Sequence, residues 1–276
     1  MLSLAVATGS FAAPLGQPTD GAWGLQGAAT VIREHQISFH NGIMWVITAI
    51  VLFVLALLVT VVVRFNAKSN PTPARWSHNT PIEIAWTVIP VVILAVIAIF
   101  SFRLLFEEHD MPKPDLTIKV VGRQWNWDYE YPDQKIGAYT STLMTETDAK
   151  TKGVPYQLAA NAPMYAPVGK VVRVLVTAED VIHDFSVPVF GIKIDAVPGR
   201  LNETWFKATK TGVFYGQCDQ LCGMNHSFMP IEVHVVPQAE FDAWVASKAP
   251  TAKPVTVASA TAVPAPSGAP APAAVR

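Results

Sequence analysis

The 276-residue sequence has few charged residues, few cysteines and no visible internal repeat. Only 15% of the residues are charged whereas 51% are hydrophobic, so the whole chain is not an ordinary soluble domain. The net charge of -1 says little about partners, and no nucleic-acid partner is expected. The two cysteines, Cys218 and Cys222, share one short segment, which confines cysteine chemistry to one place.

The hydrophobic residues are concentrated in two runs near the N-terminus. Neither residues 43–63 nor residues 84–102 contain a charge. Each run is close to the roughly 20 residues that cross a hydrocarbon core as a helix, which favours membrane helices over a buried pair in a soluble protein. We therefore predict a transmembrane hairpin in residues 17–106, with helices at about 41–65 and 82–106.

The charges around these runs predict the orientation in the membrane. Arg64, Lys68 and Arg75 lie between the runs, whereas acidic residues follow the second run. Because short loops rich in Lys and Arg stay in the cytoplasm, both termini are expected on the periplasmic side of a bacterial inner membrane. Residues 1–16 end in small residues after an apolar run and indicate a signal peptide, although its usual basic start is missing.

Beyond residue 107 the pattern changes to short runs of alternating polarity. These runs are residues 116–131, 170–178, 203–209, 212–218 and 231–236. They predict a small antiparallel β-sandwich or barrel within residues 107–248, with a short helix at 238–247. Residues 249–276 are rich in Pro and Ala with almost no charge, which predicts a disordered tail.

The segment CDQLCGMNHSFM, residues 218–229, carries the most informative side chains. Two cysteines outside the cytoplasm alone suggest a disulfide. However, His226 and Met229 follow Cys222 closely, and His183 ends another run of strand character. Zinc takes thiolate and imidazole ligands but has no use for a thioether, whereas the full set suits copper.

The number of donors separates two kinds of copper site. One cysteine, two histidines and a weak methionine make a mononuclear blue-copper site. The second cysteine is one donor too many for that site, but two bridging sulfurs would give each of two coppers a full set of ligands. The sharper hypothesis is a binuclear copper centre for one-electron transfer.

The sequence resembles a known family, subunit II of the bacterial haem–copper cytochrome c oxidases. The resemblance covers residues 30–247 and rests on the following stretches: CDQLCGMNHSFMP, EDVIHDF, GRQWNWDYEY, IKIDAVPGRLNET and IEIAWTVIP. It implies a cupredoxin-like all-β Greek-key barrel after the hairpin, bearing the binuclear centre called CuA. It also implies subunits I and III as partners, with oxygen reduction coupled to proton pumping at subunit I, and cytochrome c as the electron donor.

The resemblance assigns a role to each metal-binding residue. Cys218 and Cys222 would bridge two coppers, His183 and His226 would be terminal, and Met229 would be a weak ligand. The backbone carbonyl of Gln220 would complete the set. The family usually has a glutamate at this position that reaches a magnesium ion shared with subunit I, so the neutral Gln220 puts that magnesium ligand in doubt.

The resemblance also implies roles outside the copper site. Trp125 would be the exposed point at which electrons arrive from cytochrome c. Glu83 would lie at the mouth of a proton pathway into subunit I, with His78 nearby, and Asp195 and Arg200 would face subunit I. Acidic residues would attract the basic face of cytochrome c: Asp128, Glu130, Asp133, Glu179 and Asp180.

Three related proteins share part of this pattern. A quinol-oxidase subunit keeps the hairpin and the barrel but lacks the copper ligands. A membrane-anchored copper chaperone has one anchor and βαβ units, and nitrous oxide reductase needs a large propeller that 276 residues cannot supply. A structural subunit with a disulfide is the remaining alternative. If both cysteines must be reduced to bind copper, assembly also needs a thiol reductant and a copper-delivery chaperone.

Overall fold

The computed structural model describes residues 15–248. The predicted tail at 249–276 and the predicted signal peptide at 1–16, apart from its last two residues, lie outside the described residues. The described part consists of two long helices followed by a β-domain.

The two long helices are α1, Val31–Arg64, and α2, Thr80–His109. Each begins after a polar residue that caps it: the Thr30 side chain accepts from the N–H of Arg33, and Asn79 accepts from the N–H of Ile82. Both helices are long and apolar enough to cross a membrane. Their large apolar side chains are mostly exposed, which leaves an apolar surface for lipid or neighbouring subunits.

The first helix begins at Val31, and the predicted start near residue 41 is wrong. The additional turns precede the apolar run. They pack on the β-domain, and Ile32 is only 7% exposed there. Thr30 donates its hydroxyl to the carbonyl of Phe190 over 2.7 Å, and Gln36 donates to the carbonyl of Gly191 over 2.9 Å. The hydrophobic run therefore marked only the part of the helix that can lie in a membrane.

The β-domain contains ten strands in two five-stranded sheets. In chain order the strands are β1 Leu116–Arg123, β2 Asn126–Tyr131, β3 Ile136–Ser141, β4 Met164–Pro167, β5 Val172–Ala178, β6 His183–Val187, β7 Ile192–Ala196, β8 Asn202–Phe206, β9 Gly212–Cys218 and β10 Ile231–Val236. One sheet has the order β3-β2-β1-β5-β8, and the other has the order β4-β10-β9-β6-β7. Two short helices, α3 Glu146–Lys152 and α4 Gln238–Lys248, complete the domain.

Three details of the sequence-based prediction are wrong. The sheets are not wholly antiparallel, because β1 pairs with β5 in parallel and β4 pairs with β10 in parallel. Residues 116–131 form two antiparallel strands rather than one, with a tight turn that brings Arg123 opposite Asn126. Strands β3, β4 and β7 were missed because they are short, and His183, which was predicted to end a strand, instead begins the short strand β6.

The core of the β-domain lies between the two sheets and sets the position of the loops at their ends. Trp127, Tyr129 and Tyr131 project from β2 into this core and are fully buried. Phe185 from β6 packs edge-on against Trp127 with ring centroids 5.4 Å apart. The strand ends that carry His183 and Cys218 are therefore held by rigid packing.

Candidate metal centre

The residues singled out in the cysteine segment gather at one end of the second sheet. His183 is the first residue of β6 and Cys218 is the last residue of β9. The two strands pair antiparallel with Phe185 opposite Cys218, so these two ends lie side by side. Cys222, His226 and Met229 follow in the loop that connects β9 to β10.

The side chains of this cluster converge on the two sulfur atoms. The Sγ atoms of Cys218 and Cys222 lie 3.8 Å apart. His183 places Nδ1 4.0 Å from the sulfur of Cys218, and His226 places Nδ1 3.6 Å from the sulfur of Cys222. The Met229 Sδ lies 3.6 Å from the same Cys222 sulfur. Four of the five side chains are buried, whereas His226 is half-buried.

This donor set fits copper. The carbonyl oxygen of Gln220 lies 3.3 Å from the sulfur of Cys218 and adds a sixth donor. Both cysteines are free, and their sulfurs are too far apart for a disulfide bond of about 2.05 Å. Soft thiolates with imidazoles and a thioether suit copper, whereas the thioether argues against zinc.

The two thiols have different acidities. Burial raises the pKa of Cys222 to about 12, and the charge of the neighbouring Cys218 adds to the effect. Burial also acts upward on the pKa of Cys218, but hydrogen bonds with His183, with the backbone at Asp184 and Gln220 and with Cys222 bring it below its usual value. A bound cation would favour deprotonation of both cysteines at the same time.

A second set of contacts holds the His183 ring on the side away from the Cys218 sulfur. The Asp180 carboxylate contacts Nε2 of His183 at 2.9 Å, which leaves Nδ1 facing the sulfur. Asp180 also accepts from the backbone N–H of Gln124, and the Gln124 side chain donates to the carbonyl of Cys222; both distances are 2.7 Å. We expected Asp180 only as a surface charge. Its position three residues before His183 was the sequence signal that could have indicated this contact.

Two further residues shape the wall beside His183. Trp127 donates its indole N–H to the carbonyl of Met229 over 3.2 Å and meets the His183 ring edge-on at 5.9 Å. Gly122 leaves space for the same ring, since a Cβ there would lie 3.0 Å from Cδ2 of His183. Sequence analysis did not identify either contact, because neither residue type indicates a metal site.

Trp125 lies against the metal loop but is half-buried rather than exposed. A Cβ on Gly223, which has a φ of +125°, would lie 3.0 Å from Cζ2 of Trp125. The indole thus rests directly on the loop that carries Cys222. The exposure expected for Trp125 is only partial, because Gly223 allows this close packing.

The acidic residues expected on the surface near Trp125 differ in their exposure and in their partners. Asp128 is 8% exposed and forms an ion pair with Arg123 at 2.9 Å, so it does not act as a surface charge. Glu130 and Glu179 remain partly exposed in ion pairs with Lys119 and Arg123. Asp133 is exposed and accepts from the N–H of Thr117, and Asp180 is engaged with His183.

Glu83 lies far from the metal cluster. It belongs to the first turn of α2, whereas the β-domain follows the opposite end of that helix at His109. At 1.5 Å per residue these two positions are roughly 40 Å apart. The structure therefore brings Glu83 to the end of the hairpin that carries the basic connecting segment, and not to the metal cluster.

Comparisons with known proteins agree along most of the chain. The family model for cytochrome C oxidase subunit II, periplasmic domain, matches residues 116–236, and that for the transmembrane domain matches residues 18–104. A probable cytochrome c oxidase subunit 2 of Rickettsia bellii is 50% identical over 235 residues, which is 84% of this chain and 86% of the relative. Cytochrome c oxidase subunit 2 of Cereibacter sphaeroides is 42% identical over 248 residues, which is 84% of this chain and 82% of the relative. The crystal structure of the periplasmic domain of subunit II of cytochrome oxidase of Bradyrhizobium japonicum is 53% identical, covers 50% of this chain and 96% of its own, and has a TM-score of 0.47.

An apolar helical hairpin joined to a β-domain with a cysteine and histidine cluster defines the class of membrane-anchored β-domains that carry a candidate metal site. This chain belongs to the cytochrome c oxidase subunit II family, the electron-input subunit of the haem–copper oxidases. The resemblance and the fold class inferred from the sequence are thereby confirmed. The two apolar helices insert into the membrane, and His183, Cys218 and Cys222 form a candidate metal site.

Proposed function

We propose that this chain accepts electrons from cytochrome c at a binuclear copper centre and passes them to a haem of subunit I. Oxygen reduction to water and proton pumping then occur in the partner subunits. The observation that carries the proposal is the convergence of nitrogen, oxygen and thioether donors on two free sulfurs 3.8 Å apart. Copper bound there would supply reversible one-electron chemistry.

The proposed ligand set uses each donor according to its position. Cys218 and Cys222 would each supply a thiolate to the copper ions, and His183 and His226 would each supply an imidazole. Met229 and the backbone carbonyl of Gln220 are the weak ligands. The contact from Asp180 to His183 supports this arrangement, since such a partner fixes which imidazole nitrogen faces the metal.

Trp125 is the proposed point at which electrons arrive from cytochrome c. Its indole rests on the metal loop at Gly223, while part of the side chain remains open to solvent. The carboxylates of Asp133, which is exposed, and of Glu130 and Glu179, which are partly exposed, would attract a basic partner and raise the association rate.

The proposed location is the bacterial inner membrane, with the N-terminus and the β-domain on the periplasmic side. Arg64 ends α1, and Lys68 and Arg75 lie in the segment between α1 and α2, on the side away from the β-domain, as the charge rule for cytoplasmic loops requires. In this position the apolar faces of α1 and α2 would contact lipid and subunits I and III. We retain the removal of a signal peptide at residues 1–16 as part of this proposal.

Glu83 is proposed to mark the cytoplasmic mouth of the proton pathway. A carboxylate in the first turn of a membrane helix, at the end with the basic segment, suits proton uptake from that side. Replacing Glu83 with Gln should slow proton uptake by the assembled oxidase and leave electron input from cytochrome c intact. A slowed electron input would instead assign Glu83 to the structure of the hairpin.

A magnesium role for Gln220 does not fit the chemistry of its side chain. A neutral amide oxygen is a weaker ligand for a hard divalent cation than a carboxylate. Replacing Gln220 with Glu should therefore tighten Mn²⁺ binding if the side chain faces such an ion. Unchanged affinity would exclude a ligand role for this position.

Assembly is proposed to need a thiol reductant and a copper-delivery chaperone. The sulfurs of Cys218 and Cys222 are near enough for a small loop movement to join them in an oxidising compartment. Because copper binds thiolates, an oxidised pair would block loading. Copper uptake by the oxidised chain without reductant would contradict this requirement.

The function is tested by mixing assembled oxidase rapidly with reduced cytochrome c. Wild-type enzyme should show fast oxidation of cytochrome c followed by haem reduction in subunit I. Cys222→Ser should abolish the fast phase, because it removes one of the two bridging sulfurs. The variant Ser247→Ala, which changes an exposed hydroxyl on α4, should behave as wild type. Rapid electron input in Cys222→Ser would overturn the proposal.

A further inference from the structure

The segment before α1 contacts the strand that carries Cys218. Strand β6 pairs with β9 at Gln217 and Cys218, and β10 pairs with the other side of β9. The N–H of Tyr215 lies beyond the part of β9 that pairs with β6, and it donates instead to the carbonyl of Gly16 over 2.8 Å. Because Tyr215 is 8% exposed, loss of Gly16 would leave a buried N–H without its acceptor.

Gly16 fits this position because it has no side chain. Its φ is +102°, a conformation that favours glycine. A Cβ there would lie 2.6 Å from Cδ1 of Phe214 and 3.0 Å from the carbonyl oxygen of Val213. The preceding residue, Leu15, packs against the core of the β-domain, and a Cβ on Gly27 would lie 2.9 Å from its Cδ1. Leu15 and Gly16 are thus part of the packed domain.

The same segment is bound a second time, just before α1 begins. The N–H of Ala29 donates to the carbonyl of Val189 over 3.0 Å, and the carbonyl of Ala29 accepts from the N–H of Thr209 over 2.8 Å. Residues 18–25, between the two attachments, are exposed. We call residues 15–30 the N-terminal strap, because both of its ends are bound to the β-domain. A chain that began at Gln17 would lose one of these two attachments.

The sequence before the strap contains a better cleavage site than the bond after Gly16. Removal of a signal peptide needs small residues before the cut, in the pattern A-x-A. A cut after Gly16 would put Pro14 in the third position before the cut. A cut after Ala12 puts Ser10 there, so the first and third positions are both small. This pattern and the contacts of the strap therefore both favour a site that precedes Leu15.

We propose that a signal peptidase cleaves the chain between Ala12 and Ala13, and that the exported protein keeps the N-terminal strap. Water would hydrolyse this amide bond, which leaves a carboxylate on Ala12 and an amine on Ala13. The removed segment is then residues 1–12 rather than residues 1–16. The inference rests on the export to the periplasm proposed above. It adds that the strap belongs to the mature β-domain and holds the strand that ends at Cys218.

The first test is the N-terminus of this subunit in the purified, assembled oxidase. Intact mass and N-terminal sequencing together identify the first residue, and we expect Ala13. Any other first residue would overturn the cleavage site, and a start at Gln17 would also remove the strap from the mature protein. Electron input from cytochrome c, measured on the same samples, shows separately whether the proposed function holds.

The second test compares Gly16→Ala with Gly21→Ala in the full chain. Both glycines have a positive φ, but a Cβ on Gly21 meets nothing within 4 Å. Gly16→Ala should therefore lower the melting temperature by roughly 2–8 °C more than Gly21→Ala. It should also speed hydrogen exchange of the Tyr215 amide roughly tenfold, as expected for the loss of one hydrogen bond. Equal melting temperatures and equal exchange rates in the two variants would overturn the attachment of the strap to β9.

Discussion

The Gln124 side chain donates a hydrogen bond of 2.7 Å to the carbonyl oxygen of Cys222. The backbone N–H of Gln124 donates to Asp180, and Asp180 contacts His183. A residue outside the donor set therefore connects the cysteine loop to the strand that carries the buried histidine.

Replacing Gln124 with Ala removes the amide and retains the backbone contact to Asp180. Because partners that orient metal ligands typically contribute roughly 10–100-fold to metal affinity, we expect copper affinity to fall about tenfold. Competition with a copper chelator measures the change. Gln238→Ala, which removes an exposed amide on α4, is the matched control. Equal affinities in the two variants would contradict a role for the contact to Cys222.

Variants of Asp180 and of its neighbour Glu179 distinguish the orientation of the metal ligand His183 from the effect of surface charge. Both variants, Asp180→Asn and Glu179→Gln, remove one negative charge near Trp125, so both should slow association with cytochrome c at low ionic strength. Only Asp180→Asn removes the partner of His183 and should alter the copper spectrum and weaken copper binding roughly 10–100-fold. If Glu179→Gln changes the spectrum equally, Asp180 has no special role in orienting His183.

Replacing Trp125 with Gln should leave the copper spectrum intact and slow electron input from cytochrome c by orders of magnitude. The side chain contacts the metal loop but supplies no donor atom. Stopped-flow oxidation of cytochrome c measures the rate, and absorption spectra of the isolated oxidase check the metal centre. Trp23→Gln, which changes a fully exposed indole, serves as the control. Normal turnover in Trp125→Gln would end this assignment.

Gly122 should not tolerate a side chain. A methyl group there would lie 3.0 Å from His183 and 3.1 Å from Trp127, both of which are fully buried. Gly122→Ala should therefore destabilise the β-domain by about 1–3 kcal/mol, the usual cost of overpacking, and displace His183. Gly137→Ala, which meets nothing within 4 Å, should change stability little. Thermal unfolding of the copper-free chain compares the two, and similar melting temperatures would refute the packing argument.

The hairpin and the cysteine cluster could be predicted from the sequence because their signals are local. Charge-free runs indicate membrane helices, and Cys218, Cys222, His226 and Met229 lie within twelve residues of one another. The start of α1 could not be predicted in the same way. Its first turns mix charged and apolar residues, and they are helical because Thr30 caps them and the β-domain packs on them.

The contacts around the metal cluster depend on pairings that sequence patterns do not specify. The parallel pairing of β1 with β5 brings the turn at Gln124 beside Asp180, although 56 residues separate the two in sequence. Strand β6 is buried on both faces and shows no alternation, so the sequence did not reveal that His183 begins this strand rather than ending one. Asp184 is buried because it lies in this strand, and its burial could not be predicted from the sequence either.

The most direct test of the account is the copper content and the electron paramagnetic resonance spectrum of the full-length chain, loaded with copper after thiol reduction. The arrangement of Cys218 and Cys222 predicts two coppers per chain that share one unpaired electron. Cys222→Ser should lower the content to one copper with a mononuclear spectrum. One copper in the wild-type chain, or none with both cysteines reduced, would contradict the binuclear centre.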